Sequence, residues 1–137
     1  MRKINYIAVH CTATSQRATV ESIQRYWKEN LGWKSPGYHY IILPNGEIKQ
    51  LLDETKISNG VAGYNSETIN VCYVGGIDNL GKPIDNRTAS QKQSLLLILT
   101  DLKSRYKTAE IKWHYQFPDV KKACPCFDAK NEYKNIR

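Results

Sequence analysis

Seven side chains in this sequence are of types that do chemistry: His10, His39, His114, Cys11, Cys72, Cys124 and Cys126. The densest stretch is residues 113–128, W-H-Y-Q-F-P-D-V-K-K-A-C-P-C-F-D, with one of the three histidines, two of the four cysteines and a Lys-Lys pair. A short β-forming run, 110–114, leads into this proline-broken loop. That puts a histidine at a strand end and a cysteine on a restricted loop, as a metal site or a nucleophile site requires. His10 also ends a β-forming run. If the two strands are parallel neighbours, both imidazoles reach one rim, and Cys124 lies far enough along the loop to fold back toward them. Two His and one Cys with an open fourth position form a catalytic zinc set. Spacing alone leaves plainer readings open, because no compact motif such as C-x-x-C or H-E-x-x-H is present. A strand-end histidine is commonly a hydrogen-bonded rim residue. Cys11 and Cys72 read as small core residues, His39 as structural, and Lys121-Lys122 as a solvated charge run.

The elements that must position these residues alternate. Residues 4–10 alternate as a strand, with Ile7 and Val9 facing one way and Tyr6 and Ala8 the other. Thr19 is a helix N-cap, followed by apolar residues at Val20, Ile23, Trp27 and Leu31, with Gly32 as the stop. Strands over 38–43 and 47–51 flank Pro44-Asn45-Gly46, a hairpin signal. Residues 53–68 form a long loop, of the kind that is often functional. Residues 68–75 are a nearly continuous apolar run and so a central strand. Thr88-x-x-Gln91 is a capping box for a helix with Leu95, Ile98, Leu99, Leu102 and Tyr106 on its buried face, widened by Leu96 and Leu97. The expectation is one α/β domain over residues 1–137, a central mixed sheet flanked by helices, with the site at the strand-end rim.

Composition sets bounds. The chain has 137 residues, 41% hydrophobic and 24% charged, with a net charge of +7. A chain of this size buries roughly 65–70% of its unfolded surface and needs no staples. The positive charge suits solubility or an anionic partner, nucleic acid or a wall polymer. The N-terminal apolar stretch is too short and interrupted for a signal peptide, and no run is long enough to span a membrane. The reading is therefore a cytoplasmic monomer with reduced thiols until something releases it.

Four segments occur in this order: V-H-C-T-A-T, G-Y-H-Y-I-I-L-P-N-G-E-I, A-G-Y-N-S-E-T-I-N-V-C-Y-V-G-G-I-D and K-A-C-P-C-F-D. Together they resemble the zinc-dependent N-acetylmuramoyl-L-alanine amidases, above all the short lysozyme-like amidases of tailed phages, with peptidoglycan recognition proteins as more distant members. The resemblance runs from about Ile7 to Asp128. It implies that His10, His114 and Cys124 hold Zn2+ and that Tyr38 and Lys122 are catalytic. It further implies a peptidoglycan substrate, cut between N-acetylmuramic acid and L-alanine by an endolysin or bacterial lytic enzyme acting at the cell wall or periplasm. A non-catalytic peptidoglycan-binding module and a phage RNA polymerase regulator are the alternatives. Cys124 argues against the first and the short N-terminus against the second; nucleic-acid binding rests on charge alone. The sequence departs from the family pattern in several places. Ser58-Asn59-Gly60-Val61-Ala62 stands where a His-Ala pair is common, Asn70 where a glycine is usual, and Cys126 where Ser or Gly follows the proline. The stretch from His114 to Lys122 is slightly longer than in the phage type. Asn59 is the candidate to replace a lost substrate contact.

Overall fold

The computed structural model describes residues 2–113, 126 and 129–136, with the backbone alone of 129 and 130. His114, Lys122 and Cys124, three of the five expected site residues, lie outside the described residues. The elements, in order, are β1 (Tyr6–Cys11), α1 (Val20–Glu29), β2 (Tyr40–Ile42), β3 (Ile48–Gln50), β4 (Thr68–Tyr73), α2 (Ala89–Arg105), β5 (Glu110–Trp113) and α3 (Ala129–Glu132). The five strands form one sheet in the order β3-β2-β4-β1-β5. Only β2–β3 is antiparallel; β4 pairs in parallel with β1 and with β2, and β1 with β5. This is the mixed sheet with one hairpin that the sequence implies, and β4 is central and buried throughout.

The helices cover opposite faces. Ile7, Val9, Ile42, Val71 and Tyr73 pack with Leu95, Leu99 and Leu102 of α2. Their sheet neighbours Ile41 and Cys72, with Val74, pack with Val20, Ile23 and Trp27 of α1. Both helices start from reciprocal capping boxes, Thr19 with Ser22 and Thr88 with Gln91, each satisfying two backbone donors. Two expectations need correction. Leu96 and Leu97 do not widen the buried face of α2, being 51% and 67% exposed: one turn of helix presents only about 100° to a flat sheet. Leu31 lies beyond α1, which ends at its C-cap Asn30, and is exposed; Gly32, at φ +67, turns the chain away. Cys11 and Cys72 are buried in the core, as expected, and Cys126 is half-buried.

Two ionic clusters pin the loops. The Glu54 carboxylate accepts from Arg105 Nη1 at 2.6 Å and Nη2 at 2.8 Å, from the Tyr106 hydroxyl at 2.6 Å and from the Tyr40 hydroxyl. Burial works to raise its pKa, but these donors outweigh burial and bring it down to about 2. The cluster ties the start of the long loop to the end of α2. Just before the start of α2, the buried Arg87 donates to Asp85 at 2.9 Å, to Glu132 at 2.7 and 2.9 Å and to the Tyr133 hydroxyl at 3.0 Å. It anchors α3, which the sequence reading did not anticipate, to the loop before α2. Removing one partner of a buried ion pair leaves the other charges uncompensated. Arg87→Leu is therefore expected to destabilise the fold by roughly 3–5 kcal/mol, read as a lowered urea midpoint; a loss near zero would show the cluster to be solvated.

Candidate active site

His10 is the fifth residue of β1 and is buried. Its Nε2 lies 2.7 Å from Asn70 Oδ1. The pairing that links them is the β1–β4 ladder, in which Ala8 is opposite Asn70 and His10 opposite Cys72. All four positions share one face of a period-2 sheet. The β1–β5 pairing runs in parallel as far as Val9 opposite Trp113. The chain therefore reaches the C-terminal rim of β5 beside β1, and His114 is the next residue in the sequence.

Tyr38 stands beside His10, with ring centroids 5.0 Å apart. Its hydroxyl donates to the Cys11 carbonyl at 3.3 Å, and its ring meets Trp27 edge-on at 5.4 Å. Trp27 in turn lies 6.2 Å from Trp33. This aromatic row packs closely on the glycine before the tyrosine: a Cβ on Gly37 would lie 3.0 Å from Trp33 and 3.1 Å from Trp27, and the rings would have to give to admit it. Beside the row opens a cleft of about 610 Å³, walled by Thr12, Thr14, Tyr26, Trp33 and Tyr38 among others. A second hollow of about 500 Å³, along Gln24, Lys28 and Lys34, includes no strand-end residue.

Beneath His10 runs a polar chain that the sequence reading did not assemble. Asn70 Nδ2 donates to Ser58 Oγ at 2.6 Å. Ser58 Oγ lies 3.2 Å from His39 Nδ1, which also accepts from the Asn70 backbone N–H at 3.0 Å. His39 Nε2 lies 2.8 Å from the Lys56 carbonyl and 3.2 Å from Arg2 Nη2. His39, Ser58 and Asn70 are all buried, so His39 is structural, as its sequence context suggested. Burial, with the Arg2 charge nearby, pushes its pKa below the ordinary value. Asn59 is held at the Ser35-Pro36 turn, its Nδ2 donating to the Ser35 carbonyl at 2.9 Å and its backbone N–H to the Pro36 carbonyl at 3.0 Å. Among the described residues no three His, Cys, Asp or Glu side chains cluster as a metal site. None of their helices is long and apolar enough to cross a membrane.

A parallel-centred sheet with a buried histidine at its C-terminal rim, beside an aromatic-walled cleft, is the layout of an α/β enzyme domain. Residues 1–127 match the family described as N-acetylmuramoyl-L-alanine amidase. The chain is 42% identical over 126 residues to the endolysin of Escherichia phage T7, covering 90% of this chain and 82% of that one. The Ph2119 endolysin of a Thermus scotoductus bacteriophage superposes with a TM-score of 0.78 at 25% identity, over 91% of this chain and 79% of that one. The amidase LysCS from Clostridium intestinale shares the fold with a TM-score of 0.82 at 21% identity, over 99% and 86% of the two chains. The chain belongs to the N-acetylmuramoyl-L-alanine amidase family and is an enzyme of that activity.

The His39 shift has a pH consequence. Its folded pKa is depressed below 6.5, so its contribution to stability is full above the unfolded value. It declines as pH falls through about 6.5 toward the folded pKa, because the unfolded chain binds the proton first. Urea midpoints measured from pH 8 to pH 5 are expected to fall less steeply in His39→Gln than in the wild type. Parallel slopes would mean that His39 takes up its proton in the fold at the same pH as in the unfolded chain.

Proposed function

We propose that the chain is a phage-type endolysin whose amidase activity depends on zinc, with His10, His114 and Cys124 holding the metal and Tyr38 and Lys122 acting on the reacting atoms. The observation that carries this reading is the setting of His10. It is a buried imidazole at the strand-end rim, with one ring nitrogen engaged by an amide side chain. Metal-ligating histidines are typically held in that way, their second nitrogen hydrogen-bonded to a carbonyl or carboxylate oxygen. The parallel β5, ending one residue before His114, supports the second ligand. A neutral imidazole pair with a thiolate suits zinc, and three protein ligands leave the open position that a catalytic site needs. When bound, zinc supplies Lewis acidity for the scissile carbonyl and acidifies water.

The chain's own groups do the rest. The cleft beside Tyr38 combines aromatic faces with threonine hydroxyls, which suits a sugar ring carrying a peptide. Tyr38, whose hydroxyl is held at the Cys11 carbonyl, orients water or steers a proton at the reacting amide. The Lys122 ammonium stabilises the oxyanion that develops on the lactyl carbonyl. The net charge of +7 draws the protein to an anionic wall at a rate that salt reduces.

Purified protein supplied with zinc is expected to release L-alanine N-termini from peptidoglycan, and a chelator to stop the release. Zinc-loaded protein that binds the polymer and leaves it uncut would refute the zinc-enzyme reading. Cys124→Ser is expected to lose bound zinc by metal analysis with its circular dichroism unchanged; retention of both zinc and activity would remove Cys124 from the ligand set. Lys122→Ala is expected to lower kcat by roughly 10²–10³, the effect of losing one oxyanion donor, with little change in KM. A rise in KM alone would assign it to binding.

A further inference from the structure

We propose that Asn70 is the positioning residue for His10: a one-way chain of hydrogen bonds through Asn70, Ser58 and His39 holds the His10 ring as its Nε2–H tautomer and makes Nδ1 the nitrogen offered to a metal. The last clause rests on the reading of His10 as a ligand; the tautomer does not.

The direction of the chain is set by backbone groups, which have no choice of role. The Asn70 backbone N–H donates to His39 Nδ1 at 3.0 Å, so that nitrogen carries a lone pair. In a neutral ring the proton is then on Nε2, which donates to the Lys56 carbonyl at 2.8 Å. Arg2 Nη2, 3.2 Å from the same nitrogen, cannot also donate to it; it donates instead to the Glu54 carbonyl at 2.6 Å. The single lone pair of His39 Nδ1 also faces the Ser58 hydroxyl 3.2 Å away, which shares it with the backbone N–H by pointing its hydrogen there. Ser58 Oγ is then the acceptor for the Asn70 amide nitrogen at 2.6 Å. That leaves Asn70 Oδ1, an acceptor only, facing His10 Nε2 at 2.7 Å, and the His10 nitrogen must donate. Reversing the Asn70 amide would turn the Ser58 hydrogen away from His39 and set two lone pairs against each other. In the neutral His10 ring, Nδ1 is therefore the basic nitrogen.

Steric fit shows that the asparagine is built in. A Cβ on Gly60 would lie 2.4–2.7 Å from three atoms of the Asn70 amide, so the amide in its present place requires a glycine there or would have to shift. Asn70, where the family pattern has a glycine, thus meets Gly60 of the segment that stands in place of the His-Ala pair. The larger side chain on β4 is matched by the missing one in the loop.

The test is long-range ¹H–¹⁵N correlation of the metal-free protein labelled at histidine, which separates the two tautomers by their nitrogen shifts, together with zinc affinity from chelator competition. The wild type is expected to show His10 as Nε2–H. Asn70→Leu is expected to give mixed tautomers and to weaken zinc binding by about 10–100-fold, the usual effect of removing a partner of a metal ligand. Asn70→Asp, which still offers an oxygen, is expected to restore the tautomer. Should Asn70→Leu not fold, Ser58→Ala leaves Asn70 in place without its orienting partner and is expected to give the same mixture. Nδ1–H in the wild type, or a tautomer and zinc affinity unmoved in the folded variants, would overturn the proposal. Wild-type protein with the Nε2–H tautomer and no zinc would instead overturn the ligand reading.

Discussion

Parallel pairing of β1 on both its edges is the constraint on which the remaining structure depends. Parallel neighbours run their C-terminal ends to the same rim and need a crossover on the way back. With β4 on one side and β5 on the other, β1 is an interior strand and brings His10 to that rim with a neighbour on each side. The crossovers place α1 and α2 on opposite faces, so both faces are buried and both strand sets are apolar. The cleft beside His10 is walled by the loop after β1, the body of α1 and the turn before β2. It is a consequence of where the strands end.

A sheet buried on both faces penalises polar side chains, yet β4 carries Asn70 at its centre. A buried polar group left unsatisfied costs about 1–3 kcal/mol, and the long loop after β3 removes that cost by supplying Ser58. His39, at the entry to β2, accepts from the Asn70 backbone on the same side. The loop in turn is held by Glu54, whose carboxylate is shared by Arg105, Tyr106 and Tyr40. The polar contacts behind His10 thus run from the sheet centre through His39 and Arg2 to Glu54 and the end of α2. Polar networks of this kind are stabilising only when each member is satisfied.

Much of this was legible in the residues. The Thr19 N-cap, the Thr88–Gln91 capping box, the Asn-Gly turn and the apolar run of β4 are local signals, and each appears in the fold; the reciprocal Thr19–Ser22 box was not read. Helix boundaries and exposed leucines were less legible: Leu31, Leu96 and Leu97 match a helical period, but burial is decided by which arc of the helix meets the sheet. The pairing of Asn70 with Gly60 was invisible as such. Asn70 and the segment carrying Gly60 looked like separate departures, because nothing in a linear order shows that positions ten apart, on a strand and on a loop, touch.

What the sequence by itself determined is the chemistry at hand: the histidines and cysteines, the order of α and β elements, and the amidase family whose motifs run through them. These follow from side-chain type and local periodicity, which act over a few residues. What only the tertiary structure decided is how His10 is held. Its partner Asn70 is 60 residues away, and the direction of each hydrogen bond behind it depends on backbone groups brought together by strand register. Hydrogen bonds are short-ranged and directional, so their partners exist only once the sheet has formed.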